Sequence, residues 1–161
     1  MKTTTQIADT IGNKGLLKLK KTAFLCNRKI SASAVLKCYD WAIEQRENGN
    51  FVISGFHSKI EKDVFHYLAK GSQSIILVLP RGLKKRWEPE IKSLLETDWF
   101  LIITPFNKSV TRITEDTSKV RNELMVELAD EIVVGYKSSN SKLNTILSKV
   151  DSGKEINFIT E

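Results

Sequence analysis

The sequence predicts an α/β fold: a doubly wound, mainly parallel sheet with helices on both faces, in three α/β/α layers. Short apolar runs rich in β-branched residues alternate with amphipathic helical stripes, at the spacing of strand–helix–strand crossovers. The runs are apolar at consecutive positions, which suits strands covered on both faces. Two polar loops, Cys26-Asn27-Arg28-Lys29-Ile30-Ser31 and Ser54-Gly55-Phe56-His57-Ser58-Lys59-Ile60-Glu61, each follow such a run and precede a helix. Right-handed crossovers then bring both loops to one edge of the sheet.

Residues 1–21 begin polar and turn basic at Lys14, Lys18, Lys20 and Lys21, with Leu16, Leu17 and Leu19 available for docking. They read as an N-terminal extension with a short turn or helix. Residues 22–26 form the first strand. Across 31–47, Ala34, Val35, Cys38, Trp41, Ala42 and Ile43 recur three and four apart, a helix capped by Ser31 or Ser33 and ended by Asn48-Gly49-Asn50. Residues 51–53 make the second strand, and Val64, Phe65, Leu68 and Ala69 mark a helix over 60–70 that Gly71 closes. The third strand, 74–79, is the most β-branched run and stops at Pro80 and Gly82. A helix over 87–96 accommodates Pro89 in its first turn. The fourth strand, 98–104, ends at Pro105, and 106–116 are turn-like. A helix over 117–129 is expected to bury Val120, Leu124, Val126 and Leu128. A fifth strand (131–135), a short helix (140–150) and a last strand (156–159) complete the pattern. No repeat or linker interrupts 22–161, which reads as one domain.

At 161 residues and 41% apolar content, the chain has the length and composition of a single core. Lys and Arg outnumber Asp and Glu by 25 to 19, a formal charge of +6 that favours polyanions wherever the excess clusters. Two cysteines, Cys26 and Cys38, make no disulfide framework and fit a reducing cytoplasm. Residues 1–10 lack the apolar core of a signal peptide, and no apolar run nears the roughly 20 residues that span a bilayer. The expectation is a soluble, cytoplasmic protein with no membrane partner.

The two loops have the chemistry of an anion site. Arg28 and Lys29 supply charge-assisted donors, and the guanidinium can bind phosphate oxygens bidentately. Asn27 flanks them, Ser54 offers a hydroxyl, and Gly55 permits close backbone approach. Lys59 reinforces a helix start. Arg121 and Asn122 add a cation from a later segment. Phe56, His57, Trp87 and Phe106 are the loop aromatics available for base stacking. Lys84, Lys85 and Arg86 form a basic run whose ordinary reading is a solvated face. His57 and His66 stand at no metal-ligand spacing, so no metal site is expected. The chain has no Gly-x-Ser-x-Gly elbow, no Gly-x-x-x-x-Gly-Lys-Ser/Thr loop and no Gly-x-Gly-x-x-Gly fingerprint. No catalytic residue and no cofactor is assigned.

Several stretches, in order, resemble the Rossmann-like core of the DNA-processing protein A (DprA/Smf) family. Ile11-Gly12-Asn13-Lys14-Gly15-Leu16-Leu17 is similar to the lead-in to that family's first strand. Ala23-Phe24-Leu25-Cys26-Asn27-Arg28-Lys29 is similar to its strand and Gly-Ser-Arg loop, with Arg28 kept and Cys26 in place of the glycine. Phe51-Val52-Ile53-Ser54-Gly55-Phe56 resembles its strand ending in Ser-Gly, with Ile60-Glu61 where Ile-Asp is usual. The run 75–83 is similar to its next strand and turn, and Arg121-Asn122 to an Arg-Asn pair before a helix.

The resemblance implies single-stranded DNA binding without turnover, a homodimer, and a recombinase as partner in recombination or DNA uptake. It implies a DNA ligand held by Arg28, Ser54, Gly55, Lys59 and Arg121. A second expectation is a small-nucleotide sensor, or a hydrolase of the minimal Rossmann superfamily with Glu61 or Glu123 as base. A third is a scaffold whose pocket has degenerated through the substituted loop glycine.

Overall fold

The computed structural model describes residues 5–27, 29–139 and 141–160. Among these residues, seven strands form one sheet: β1 (Asp9–Gly12), β2 (Thr22–Leu25), β3 (Val52–Ser54), β4 (Ile75–Val78), β5 (Phe100–Thr104), β6 (Glu131–Val134) and β7 (Glu155–Phe158). Their spatial order is β1-β5-β4-β3-β2-β6-β7, parallel throughout except for β1, which runs antiparallel to β5. Among the described residues, a 3-10 helix (Lys14–Lys18) and five α-helices accompany them: α1 (Ala32–Asn48), α2 (Lys59–Ala69), α3 (Pro89–Leu95), α4 (Glu115–Leu128) and α5 (Leu143–Ser148). The expected three-layer, Rossmann-like α/β/α architecture is what forms.

Strand pleat sorts the apolar residues into two cores. Phe24, Val52, Ile75, Leu77, Phe100 and Ile102 face one side, where they pack with Cys38 and Ala42 of α1, Val64, Phe65 and Leu68 of α2, and Leu94 of α3. Ala23, Leu25, Ile53, Ile76, Leu101 and Ile103 face the other, against Leu124, Met125 and Val126 of α4, Ile146 of α5 and Leu16. Consecutive residues of one strand thus serve opposite cores, which is why the runs carry no polar alternation.

Three expectations need correction. The short turn or helix expected within 1–21 forms as a 3-10 helix at Lys14–Lys18, but Asp9–Gly12 before it is an unforeseen edge strand. Its lone apolar side chain, Ile11, is exposed, so it had no hydrophobic signal to read. In α4 the buried residues are Arg121, Leu124, Met125 and Val126, while Val120 and Leu128 are only half-buried. The inward stripe runs 121-124-125, so the helix is rotated from the expected face and carries Arg121 inward. The helix expected over 140–150 is shorter, Leu143–Ser148.

Helices α1 and α2 pack side by side through Tyr39 and Tyr67, whose ring centroids lie 5.1 Å apart. The Tyr39 hydroxyl donates to an Asp63 carboxylate oxygen. Burial first, and then that bond, push the Tyr39 phenol from 10.0 up to about 12. A raised phenol favours the folded state while it stays protonated. That contribution is complete below pH 10.0 and is lost as pH rises through about 12. An ultraviolet tyrosinate titration is expected to show a step near pH 12 that Tyr39→Phe removes.

Among the described residues, no helix is long and apolar enough to cross a membrane.

Candidate nucleic-acid interface

The parallel order reverses direction at β2: the chain steps outward through β3, β4 and β5, then returns to the other flank with β6. Loops leaving β2 and β6 therefore diverge, and a crevice opens beyond their carboxyl ends, where ligands bind in open α/β sheets. Here it is a cleft of about 1120 Å³. Its floor is Leu25, Cys26 and Glu61, and its walls come from the loop after β2, the start of α2, the start of α4 and the loop after β6.

Glu61 organises this floor. The stretch Ser58-Lys59-Ile60-Glu61 is a capping box in which the Ser58 hydroxyl accepts the Glu61 N–H at 3.3 Å. In return, Glu61 Oε1 accepts N–H bonds from His57 (3.0 Å) and Ser58 (3.2 Å). Its Oε2 accepts the Cys26 N–H at 3.2 Å, so one carboxylate joins the end of β2 to the start of α2. The side chain is buried, and three of its lone pairs are taken by main-chain N–H groups.

Ser54 performs a parallel task. Its hydroxyl donates to the Phe24 carbonyl (2.9 Å) and accepts the Phe56 N–H (3.2 Å), tying the ends of β2 and β3. It is fully buried and does not line the cleft, so its hydroxyl is committed to the main chain. Phe56, with φ +44°, turns inward against Phe65 at a centroid distance of 4.9 Å, which removes it as a stacking surface. Lys59 points away and pairs with Asp63 at 3.3 Å.

Arg121 is 5% exposed and lines the cleft. Its Nε donates to Asn122 Oδ1 at 2.7 Å, whereas the buried Nη1 has no hydrogen-bond partner among the described residues. Burial pushes the guanidinium below its ordinary value, and the Glu61 carboxylate pushes it back up; an arginine stays charged regardless. Gly55 makes room for this group. A Cβ there would stand 2.1 Å from Nη1 and 2.5 Å from Cζ, so the glycine is needed for the approach of a side chain.

Asn27 lines the cleft as well, accepting from the Ser141 hydroxyl and donating to Ser138 Oγ at 3.1 Å. Lys29, His57 and Asn122 line it too. Arg28 lies outside the described residues. The structure thus gathers Asn27, Lys29, His57, Arg121 and Asn122, with Gly55 behind Arg121, and leaves Ser54, Phe56 and Lys59 out. It adds Lys119, Lys142, Ser138 and Ser141, which the sequence reading missed. A strand-to-helix loop at 136–142 was the available signal, since it leaves the same sheet edge. Lys142 pairs with Glu115 across the rim. Among the described residues, no group of three or more His, Cys, Asp or Glu could hold a metal ion.

The fold has counterparts among known structures. The Helicobacter pylori DNA processing protein A, whose structure describes a mode of single-stranded DNA binding, matches with a TM-score of 0.71 at 18% identity, over 91% of this chain and 69% of its own. DNA processing protein A from Streptococcus pneumoniae matches at 0.72 and 18%, over 92% of this chain and 53% of its own. This chain therefore spans about half of the Streptococcus protein. A molybdenum cofactor binding protein from Rippkaea orientalis matches at 0.55 and 11%, over 80% and 68%. No family model and no curated protein matches the chain by sequence. The chain has the fold of DNA processing protein A, as the ordered motifs implied.

Proposed function

We propose that the chain binds single-stranded DNA without turnover, seating a phosphate in the cleft beside Arg121. The observation that carries this reading is the Arg121 guanidinium, held charged at the cleft wall with a buried Nη1 that no described residue satisfies. Such a group is costly unless a partner arrives. Lys29 and Lys119 on the same lining favour an anionic partner, whereas Lys142 is already paired with Glu115. The single-stranded DNA binding described for the Helicobacter protein of the same fold supports the choice of ligand. A homodimer, a recombinase partner in recombination or DNA uptake, and a cytoplasmic setting belong to the same reading. So does the division into an extension over 1–21 and one domain over 22–161.

A nucleotide hydrolase using Glu61 or Glu123 fits less well. Glu61 is occupied by three main-chain N–H groups, and Glu123 pairs with Lys149 at 3.2 Å outside the cleft lining. Fluorescence anisotropy with labelled oligothymidylate tests the proposal. Binding at low salt is expected, with log Kd rising linearly in log salt by about 0.7 per phosphate contacted. Absence of binding at low salt overturns it. A melting shift with mononucleotides and none with DNA would favour the nucleotide sensor instead.

A further inference from the structure

Resting on that reading, we propose a second contact region for the strand, a basic ridge outside the cleft that carries the DNA across the carboxyl edge of the sheet toward β5. Two connections build it, 79–88 after β4 and 105–114 after β5. Both leave the same edge as the cleft, because β2 to β6 are parallel. They are fastened to each other. The Gly82 N–H donates to the Val110 carbonyl at 2.7 Å, and the Thr104 hydroxyl donates to the Arg81 carbonyl at 2.5 Å. The backbones meet so closely that a Cβ on Gly82 would lie 2.1 Å from the Asn107 carbonyl oxygen.

The charge on these two connections is one-sided. They hold Arg81, Lys84, Lys85, Arg86, Lys108 and Arg112 against a single carboxylate, Glu88. Lys84 pairs with Glu88 at 3.4 Å, which uses up that acid. Lys85, Arg86, Lys108 and Arg112 are exposed and make no hydrogen bond or ion pair among the described residues. A rigid pair of loops presenting unneutralised cations is a surface for a polyanion. Phe106, two residues before Lys108 on the same connection, is half-buried and packs against neither core, so the ridge also carries an aromatic residue of the kind single-strand binding uses.

Continuity with the cleft follows from topology. The chain leaves β5, three strands away from β2, and must traverse the edge to start α4 at the cleft wall. That crossing is about 14 Å at ordinary strand spacing. It ends in Ile113 and Thr114, which line the cleft directly after Arg112, and Ile113 is 43% exposed there. The distance equals about four phosphate steps of a stacked strand. A mononucleotide cannot reach from Arg121 to Lys108; an oligonucleotide can.

The test compares oligothymidylates of about 2 and about 20 nucleotides on wild type and on the triple variant Lys85→Ala, Arg86→Ala, Lys108→Ala. For the long strand, the variant is expected to bind on the order of a hundredfold more weakly near 0.1 M salt, with the salt slope reduced by about 2. Its affinity for the short strand is expected to stay at the wild-type value. An unchanged long-strand affinity, or equal weakening of both lengths, overturns the ridge and leaves cleft binding standing. A duplex of the same length binding as tightly as the single strand overturns the assignment of its occupant. Failure of wild type to bind either length removes the cleft reading and the ridge with it.

Discussion

Glu61→Ala is expected to lower stability by about 3–5 kcal/mol, a large share of the margin of a domain this size. Three main-chain N–H groups, of Cys26, His57 and Ser58, end on its two oxygens at 3.0 to 3.2 Å. Alanine strands all three, and a buried polar group left unpaired costs about 1–3 kcal/mol. The capping box of α2 goes too, at about 1 kcal/mol. The buried Arg121 loses the carboxylate that offsets its desolvation. These losses overlap, so the figure is below their sum. Glu61→Gln keeps one carbonyl oxygen and is expected to fall between alanine and wild type. Urea unfolding monitored by circular dichroism checks the order; a Glu61→Ala midpoint within error of wild type would refute the cradle.

Gly55→Ala is expected to lose DNA affinity about tenfold or more, while the fold survives with a penalty of about 1–3 kcal/mol. The new methyl group would occupy the place of the Arg121 guanidinium, 2.1 Å from Nη1. The side chain is the movable partner, so the charge swings out of its seat and the backbone holds. Arg121→Met should lose similar affinity while filling similar space. Its stability is expected to hold or rise, because a buried charge with an unsatisfied nitrogen is removed. The double variant is expected to bind no worse than Arg121→Met alone, the signature of two residues acting through one group. Additive losses in anisotropy titrations would separate Gly55 from Arg121.

Much of the fold was legible because each buried strand announces itself by unbroken apolar residues, as in Ile75–Val78 and Phe100–Thr104. Helix starts were readable where a hydroxyl caps them, as Ser31 does for α1. What escaped was polar structure. β1 has hydrogen bonds but no apolar face, so hydropathy could not reveal it.

The site was legible as a place and less so as a set of roles. Crossover topology puts loops at the correct edge, but it does not say which side chains turn inward. Ser54 and Glu61 have ligand-like chemistry and are consumed by the main chain, an outcome set by where β2, β3 and α2 meet. The Ser-x-x-Glu spacing at 58–61 was the available clue for Glu61. Arg121 was singled out, and its helical spacing to Leu124 and Met125 would also have told of its burial.

Because Ser54 and Glu61 lash the ends of β2, β3 and α2 together, the cleft floor is already rigid when a ligand arrives. Little chain entropy is left for the protein to surrender on association, so the ordering penalty falls on the flexible strand that enters. Stiffer, pre-stacked oligonucleotides of equal charge should accordingly dock with a smaller entropic loss than floppy ones.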